Sequence, residues 1–230
     1  MEVGDDRRAE EDFSRATELL PDDAEAHHYR GLALAQLGKH SEAIAAFEAA
    51  IRLDPDDAVS RYNRGISTAQ LGDLVGAISD FDKAIDMDAD DASPYYNRGL
   101  VQAELGDSQR AVEDFNKAID LGLQAPELYH NRGSAYRDLG DLGRAIRDFD
   151  KAIELEPLSN LSRYSRGVSK LNLEEFDAAL QDLNAVLDLD PDNAGALRAR
   201  GVAPVSYTHL RAHETDSYLV CRLLLEKKKA

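Results

Sequence analysis

Small and large apolar residues recur three and four positions apart in successive stretches of the chain: Ala43, Phe47, Ala50 and Ile51 in one, Ala145, Phe149, Ala152 and Ile153 in another. That spacing places them on one face of an α-helix. Pro55, Pro157 and Pro191 close such helices, because proline lacks the N–H donor and clashes with the preceding turn. Ala89 and Leu123 stand at the proline position elsewhere, and those helices are expected to run on slightly. A partner helix precedes each of these. It carries glycine at its eighth position (Gly31, Gly65, Gly99, Gly133, Gly167) and, in three cases, stops at Leu71-Gly72-Asp73, Leu105-Gly106-Asp107 or Leu139-Gly140-Asp141. Glycine inside a helix costs roughly 1 kcal/mol against alanine, so its recurrence implies close approach of the second helix. In the turn, glycine can take the left-handed conformation and aspartate can cap the second helix. Asp57, Asp91, Ser159 and Asn193 are the expected caps for the next unit.

The two-helix unit repeats with a period of 34 residues, marked by Arg30-Gly31, Arg64-Gly65, Arg98-Gly99, Arg132-Gly133, Arg166-Gly167 and Arg200-Gly201. A fixed period in that range means stacked supersecondary units. Full units are expected at 24–57, 58–91, 92–125, 126–159 and 160–193. Gly4, Ala9, Phe13, Ala16 and Pro21 match the back half of a unit, so 1–23 reads as a second helix whose first is missing, as in a fragment. A sixth unit starts at 194–201. Register is then lost, and Pro204 falls inside what should be a first helix. Residues 202–230 match nothing upstream and resemble translated sequencing-adapter read-through, so they are expected to be a non-native tail.

The pattern resembles the tetratricopeptide repeat over residues 1–201. The family's Trp position is filled here by His27, Arg61, Tyr95, Tyr129 and Arg163, and the last unit has Leu183, Val186 and Glu174 in place of Phe, Ala and the turn Gly. The resemblance implies an all-α solenoid of helix-turn-helix units, a right-handed superhelix whose first helices line a concave groove.

Charge narrows the partners. A formal net charge of −17 argues against nucleic acid, which needs clustered Lys and Arg, and against anionic lipid. It favours basic or neutral partners, and the expected partner is a protein or peptide. No apolar run reaches membrane-spanning length and no secretory signal follows Met1, so a cytoplasmic protein is expected. The single cysteine, Cys221, lies in the tail.

On a first helix, the second, fifth, sixth, ninth and thirteenth positions share a face opposite the glycine. The fifth holds His28, Tyr62, Tyr96, His130 and Tyr164, and the sixth holds Tyr29, Asn63, Asn97, Asn131 and Ser165. One reading is an extended peptide site, with amides bonding a peptide backbone and rings supplying contact area. The run Asn63, Asn97, Asn131 resembles the peptide track of the repeat array in O-linked N-acetylglucosamine transferases. The other reading is that the rings pack sideways between units and the amides serve their own helix. The family's carboxylate clamp is incomplete: no Lys takes the fifth position, and Leu32, Ile66, Leu100, Ser134 and Val168 take the ninth.

Arg30, Arg64, Arg98, Arg132, Arg166 and Arg200 hold the seventh position, with Asp12, Asp80, Asp114, Asp148 and Asp182 eighteen residues before all but Arg64, where Ala46 intervenes. Either these arginines form a stripe for anionic ligands, or they form a structural ladder. The ladder is favoured, with each Arg expected to touch the Asp of the preceding unit. His27 and His28 are neighbours and cannot share a face, while His209 and His213 lie in the tail. No metal, cofactor or active site is expected. The reading is a non-catalytic interaction scaffold; the alternatives are the substrate-selecting array of a larger modular enzyme, or self-association through exposed array ends.

Overall fold

The computed structural model describes residues 3–203, all helices and turns. They fall into two compact units, one up to Gln124 and one from Ala125. The first holds α1 (Val3–Leu19), α2 (Ala24–Gln36), α3 (His40–Leu53), α4 (Ala58–Gln70), α5 (Leu74–Met87), α6 (Ala92–Glu104) and α7 (Ser108–Asp120). The second holds α8 (Pro126–Asp138), α9 (Leu142–Leu155), α10 (Asn160–Asn172) and α11 (Phe176–Leu189), followed by helical residues 194–203, here α12. In the first unit each helix packs on the next up to α7. In the second, α8 packs on α9, α9 on α10 and α10 on α11. The expected tail lies outside the described residues, apart from Val202 and Ala203, which continue α12.

The core of each repeat is one large side chain seated on one glycine. Phe47, Phe81, Phe115 and Phe149 are 0–1% exposed. A β-carbon on Gly31 would lie 2.6 Å from the Phe47 ring, and one on Gly65, Gly99 or Gly133 would lie 2.8–2.9 Å from Phe81, Phe115 or Phe149. The glycine therefore makes room for the ring, and burial of such a ring contributes on the order of 1.5–3 kcal/mol. Where Leu183 replaces the phenylalanine, the nearest contact to a β-carbon on Gly167 relaxes to 3.3 Å.

The turns follow the expected chemistry. Gly38, Gly72, Gly106 and Gly140 take φ of 73–84°, and Glu174, which stands in the same place, is forced to φ 62°. Asp73, Asp107 and Asp141 each accept a bond from a first-turn backbone N–H, of Gly76, Arg110 and Arg144. Between repeats, Asp57 accepts from Ser60 N, Asp91 from Ser93 N and Asn193 from Ala196 N. Ser159 is an N-cap without a side-chain cap bond; its hydroxyl donates to Ser162 Oγ at 3.3 Å instead. The helices without a closing proline do not run on. α5 has 14 residues, as α3 does, and α7 has 13. Gly122, at φ 95°, ends α7 in the left-handed conformation, while α5 ends at Met87 with an extended Asp88.

Candidate functional site

The ring at the fifth position packs on the core in four of the first helices, and His28, Tyr62 and His130 also reach across to the next first helix. His28 packs on Phe47, Tyr62 on Phe81 and Tyr96 on Phe115, with ring centroids 5.9–6.0 Å apart, and His130 packs on Phe149 at 5.4 Å. His28 Nδ1 shares a hydrogen bond with Ser60 Oγ at 2.7 Å, and His130 Nδ1 shares one with Ser162 Oγ at 3.1 Å. Tyr62 accepts a bond from Asn97 Nδ2 at 2.9 Å. These links sit at the seams α2–α4, α8–α10 and α4–α6, each within one compact unit. Burial holds the His28 imidazole below its ordinary range, against the upward pull of Asp57 and Glu25. Burial also lowers His130, with Arg137 acting in the same direction. The Tyr62 phenol is raised, chiefly by burial and then by Asp91, so it remains a neutral donor.

Two of the sixth-position amides, Asn63 and Asn97, turn first to their own helix. Asn63 Nδ2 donates to Val59 O and Asn97 Nδ2 to Ser93 O. Asn97 thus uses its amide nitrogen on both Ser93 O and Tyr62 Oη, which leaves Oδ1 as its remaining polar atom. Tyr62 Oη receives that bond and keeps its own proton. All eight expected contact residues, His28, Tyr62, Asn63, Tyr96, Asn97, His130, Asn131 and Tyr164, are half-buried. Tyr164 stands apart from the others. It lines a cavity of about 410 Å³ with Val168, Phe176, Arg198, Ala199 and Val202 among its walls.

The arginine ladder has a different register from the one expected. Arg64, Arg98, Arg132 and Arg166 each grip both oxygens of the aspartate sixteen residues ahead, in their own repeat: Asp80, Asp114, Asp148 and Asp182. Asp80 therefore bonds Arg64, not Arg98. The link to the preceding repeat comes from a position that the sequence does not single out. Arg98 reaches Asp82 and Arg166 reaches Asp150, Arg200 donates to Asn184 Oδ1 at 3.0 Å, and Arg64 lies 3.8 Å from Glu48. The bond to Asp114 raises the Arg98 pKa further. Arg30 faces Ala46 where the others face Asp. It makes no ion pair among the described residues, and its Nε is buried without a hydrogen-bond partner.

The family's Trp position also has a role that residue type alone does not reveal. His27 bonds Pro21 O at 3.0 Å, Arg61 donates to Pro55 O at 2.8 Å and Arg163 donates to Pro157 O. Each latches the loop six residues behind it. Among the described residues there is no group of three or more His, Cys, Asp or Glu able to hold a metal ion, and no helix is long and apolar enough to cross a membrane.

Known proteins share this architecture. The chain superposes on YrrB, a TPR protein with an unusual peptide-binding site, at 24% identity and a TM-score of 0.73, covering 82% of this chain and 97% of that one. MamA from Desulfovibrio magneticus RS-1 matches at 20% identity and a TM-score of 0.70, over 74% and 97%. A chain of the APC/C hetero-tetramer Cut9–Hcn1 matches at 22% and 0.71, over 87% of this chain but 40% of that one. No curated protein matches the sequence. The tetratricopeptide repeat profile matches residues 1–58, 37–94, 62–126, 130–194 and 164–203, and the chain belongs to the tetratricopeptide repeat family.

Proposed function

We propose that this protein is a non-catalytic interaction scaffold that holds an extended peptide segment along the exposed face of its first helices. The observation that carries this reading is the Tyr62–Asn97 pair. Their mutual bond leaves a phenolic O–H to donate and an amide oxygen to accept. A donor and an acceptor held side by side complement the C=O and N–H of a peptide backbone, which gives affinity without sequence restriction. Tyr29, 42% exposed on the same face of α2, adds aromatic contact area of the kind enriched in binding surfaces. YrrB, of the same fold, is described as having a peptide-binding site, which supports the class of partner. The arginines are proposed to be structural, since their guanidinium groups are committed to aspartates.

A phage-displayed random peptide library selected on the full chain tests the reading. Selected peptides should bind Tyr62→Phe and Asn97→Ala about tenfold more weakly each, with helicity unchanged. Binding indifferent to both changes would remove this face from consideration.

A second reading keeps the binding role within a longer polypeptide, as the substrate-selecting array of a modular enzyme. The fold match to part of a much longer chain in Cut9–Hcn1 shows that an array of this length can be one section of another protein. Sequencing the source locus in both directions tests this, since a catalytic domain would be evident. Self-association is read out by light scattering across a concentration series.

A further inference from the structure

The cavity in the second compact unit is lined in part by a repeat that departs from the pattern of the others. At the fifth position, where earlier repeats carry His or Tyr, α12 has Arg198. At the second it has Gly195, and at the sixth, Ala199. Beside these residues about 410 Å³ lies open among α10, α11 and α12. That lies near the lower end of the roughly 300–1,000 Å³ of ligand pockets and suits one large side chain. Most of the lining is apolar, with Tyr164 and Val168 from α10, Phe176 from α11 and Ala199 and Val202 from α12; Asn172 is polar. Gly195 is closed over by the Tyr164 ring, whose atoms would lie 3.2 Å from a β-carbon there. Leu161, one helical turn before Tyr164, is 62% exposed and extends the apolar surface outward.

Among the described residues, Arg198 is the only charged group lining this cavity. It makes no ion pair or hydrogen bond among the described residues, unlike its ladder neighbour Arg200, which is held by Asn184. A guanidinium beside a mainly apolar cavity, with no carboxylate among the described residues of the lining, complements an anionic group attached to an apolar one. The net charge of −17 does not oppose this at physiological salt, because charges beyond about 8 Å are largely screened.

We propose that this cavity is the anchor site for a peptide segment in which a large apolar side chain is followed directly by a carboxylate. The side chain enters between Tyr164, Val168 and Phe176, and the carboxylate pairs with Arg198. The inference rests on the peptide-scaffold reading and gives it a sequence preference that the backbone-reading Tyr62–Asn97 pair cannot supply.

Titration calorimetry of the full chain with three N-acetylated peptides tests it: one amidated with Phe-Asp between glycines, the same with Phe-Asn, and one ending in Phe with a free C-terminal carboxylate. At least one carboxylate peptide should bind about tenfold more tightly than Phe-Asn, and the tighter of the two names the source of the anion. Arg198→Gln, an exposed change that spares folding, should erase the difference. Ala199→Phe, which fills the cavity, should abolish binding of all three with helicity retained. Equal binding of the three peptides, or a preference that survives Arg198→Gln, would overturn the proposal. Either result leaves the scaffold reading intact if phage-selected peptides still respond to Tyr62→Phe and Asn97→Ala. Loss of both responses sinks both.

Discussion

Arg98 holds both carboxylate oxygens of Asp114, with its Nε at 2.8 Å and its Nη2 at 2.7 Å, and the Asp114 side chain is only 8% exposed. Two parallel bonds of this kind fix the rotation of one helix against the other within a repeat as well as neutralising charge. The same pair recurs at Arg64–Asp80, Arg132–Asp148 and Arg166–Asp182.

Removing the acceptor should therefore be costly. Asp114→Ala is expected to destabilise by about 2–3 kcal/mol, below the full buried-pair range because Arg98 stays 20% exposed and keeps Asp82. Asp114→Asn should cost less. The converse change is more informative. Ala46→Asp offers Arg30, whose Nε is buried and unpaired, the acceptor its counterparts have, and should be neutral or stabilising. Urea unfolding of the variants measures this. A loss at Ala46→Asp as large as that at Asp114→Ala would show that the pairing geometry does not transfer to the first full repeat.

The glycine–ring contacts separate repeats that look alike in sequence. A methyl group on Gly133 would lie 2.9 Å from the Phe149 ring and 3.2 Å from the Ala145 carbonyl, so Gly133→Ala is expected to cost about 1–3 kcal/mol. Gly167→Ala meets Leu183 and Asp182 at 3.3 Å. A slight side-chain shift relieves that, and alanine gains up to about 1 kcal/mol of helix propensity. The second change should be within about 1 kcal/mol of neutral. Equal destabilisation in thermal melts would mean that backbone proximity, not the ring, demands the glycine.

Glu174 takes a left-handed φ of 62° where four other turns have glycine. A side chain in that region costs roughly 1–2 kcal/mol, part of which glycine returns as unfolded-state entropy. Glu174→Gly should stabilise by about 0.5–1 kcal/mol, read as a rise in the urea midpoint at unchanged slope. A fall would show that Glu174 contributes a contact worth more than the strain.

The helices, their turns and the glycine–ring pairing can be read from the 34-residue period because each depends on residues close in sequence. The arginine register cannot be read in this way. A separation of eighteen backward and one of sixteen forward together span one period, so Arg and Asp co-recur identically whichever repeat supplies the partner. Only the packing of α6 on α7 decides it, in favour of Asp114. The seam bonds are hidden for a related reason. Ser60 and Ser162 carry no signal of their own, and their meaning depends on a histidine one repeat earlier. The lengths of α5 and α7 are overestimated when proline alone is taken as the stop: α5 ends at an extended Asp88 and α7 at Gly122. The Arg198 cavity leaves no positive signal in the sequence, since packing alone brings together its lining from α10, α11 and α12.

The seam histidines make stability depend on pH in a predictable direction. His130 is held below its ordinary value of 6.5 by burial and by Arg137. As the pH falls, the unfolded chain therefore takes up its proton first. Stability from the neutral imidazole is fully present above about pH 6.5 and drains away as the pH drops toward the folded value. His28 shares the burial, but Asp57 and Glu25 pull its pKa back up, so its contribution should be smaller. Asparagine at either site can keep a bond to the serine without titrating. Urea unfolding at pH 7.5 and pH 5.0 should show His130→Asn losing less stability on acidification than the parent chain, with His28→Asn closer to the parent. Carboxylate protonation is common to all three proteins and cancels in the comparison. Equal losses in all three would mean that neither imidazole is buried enough at its seam to resist protonation.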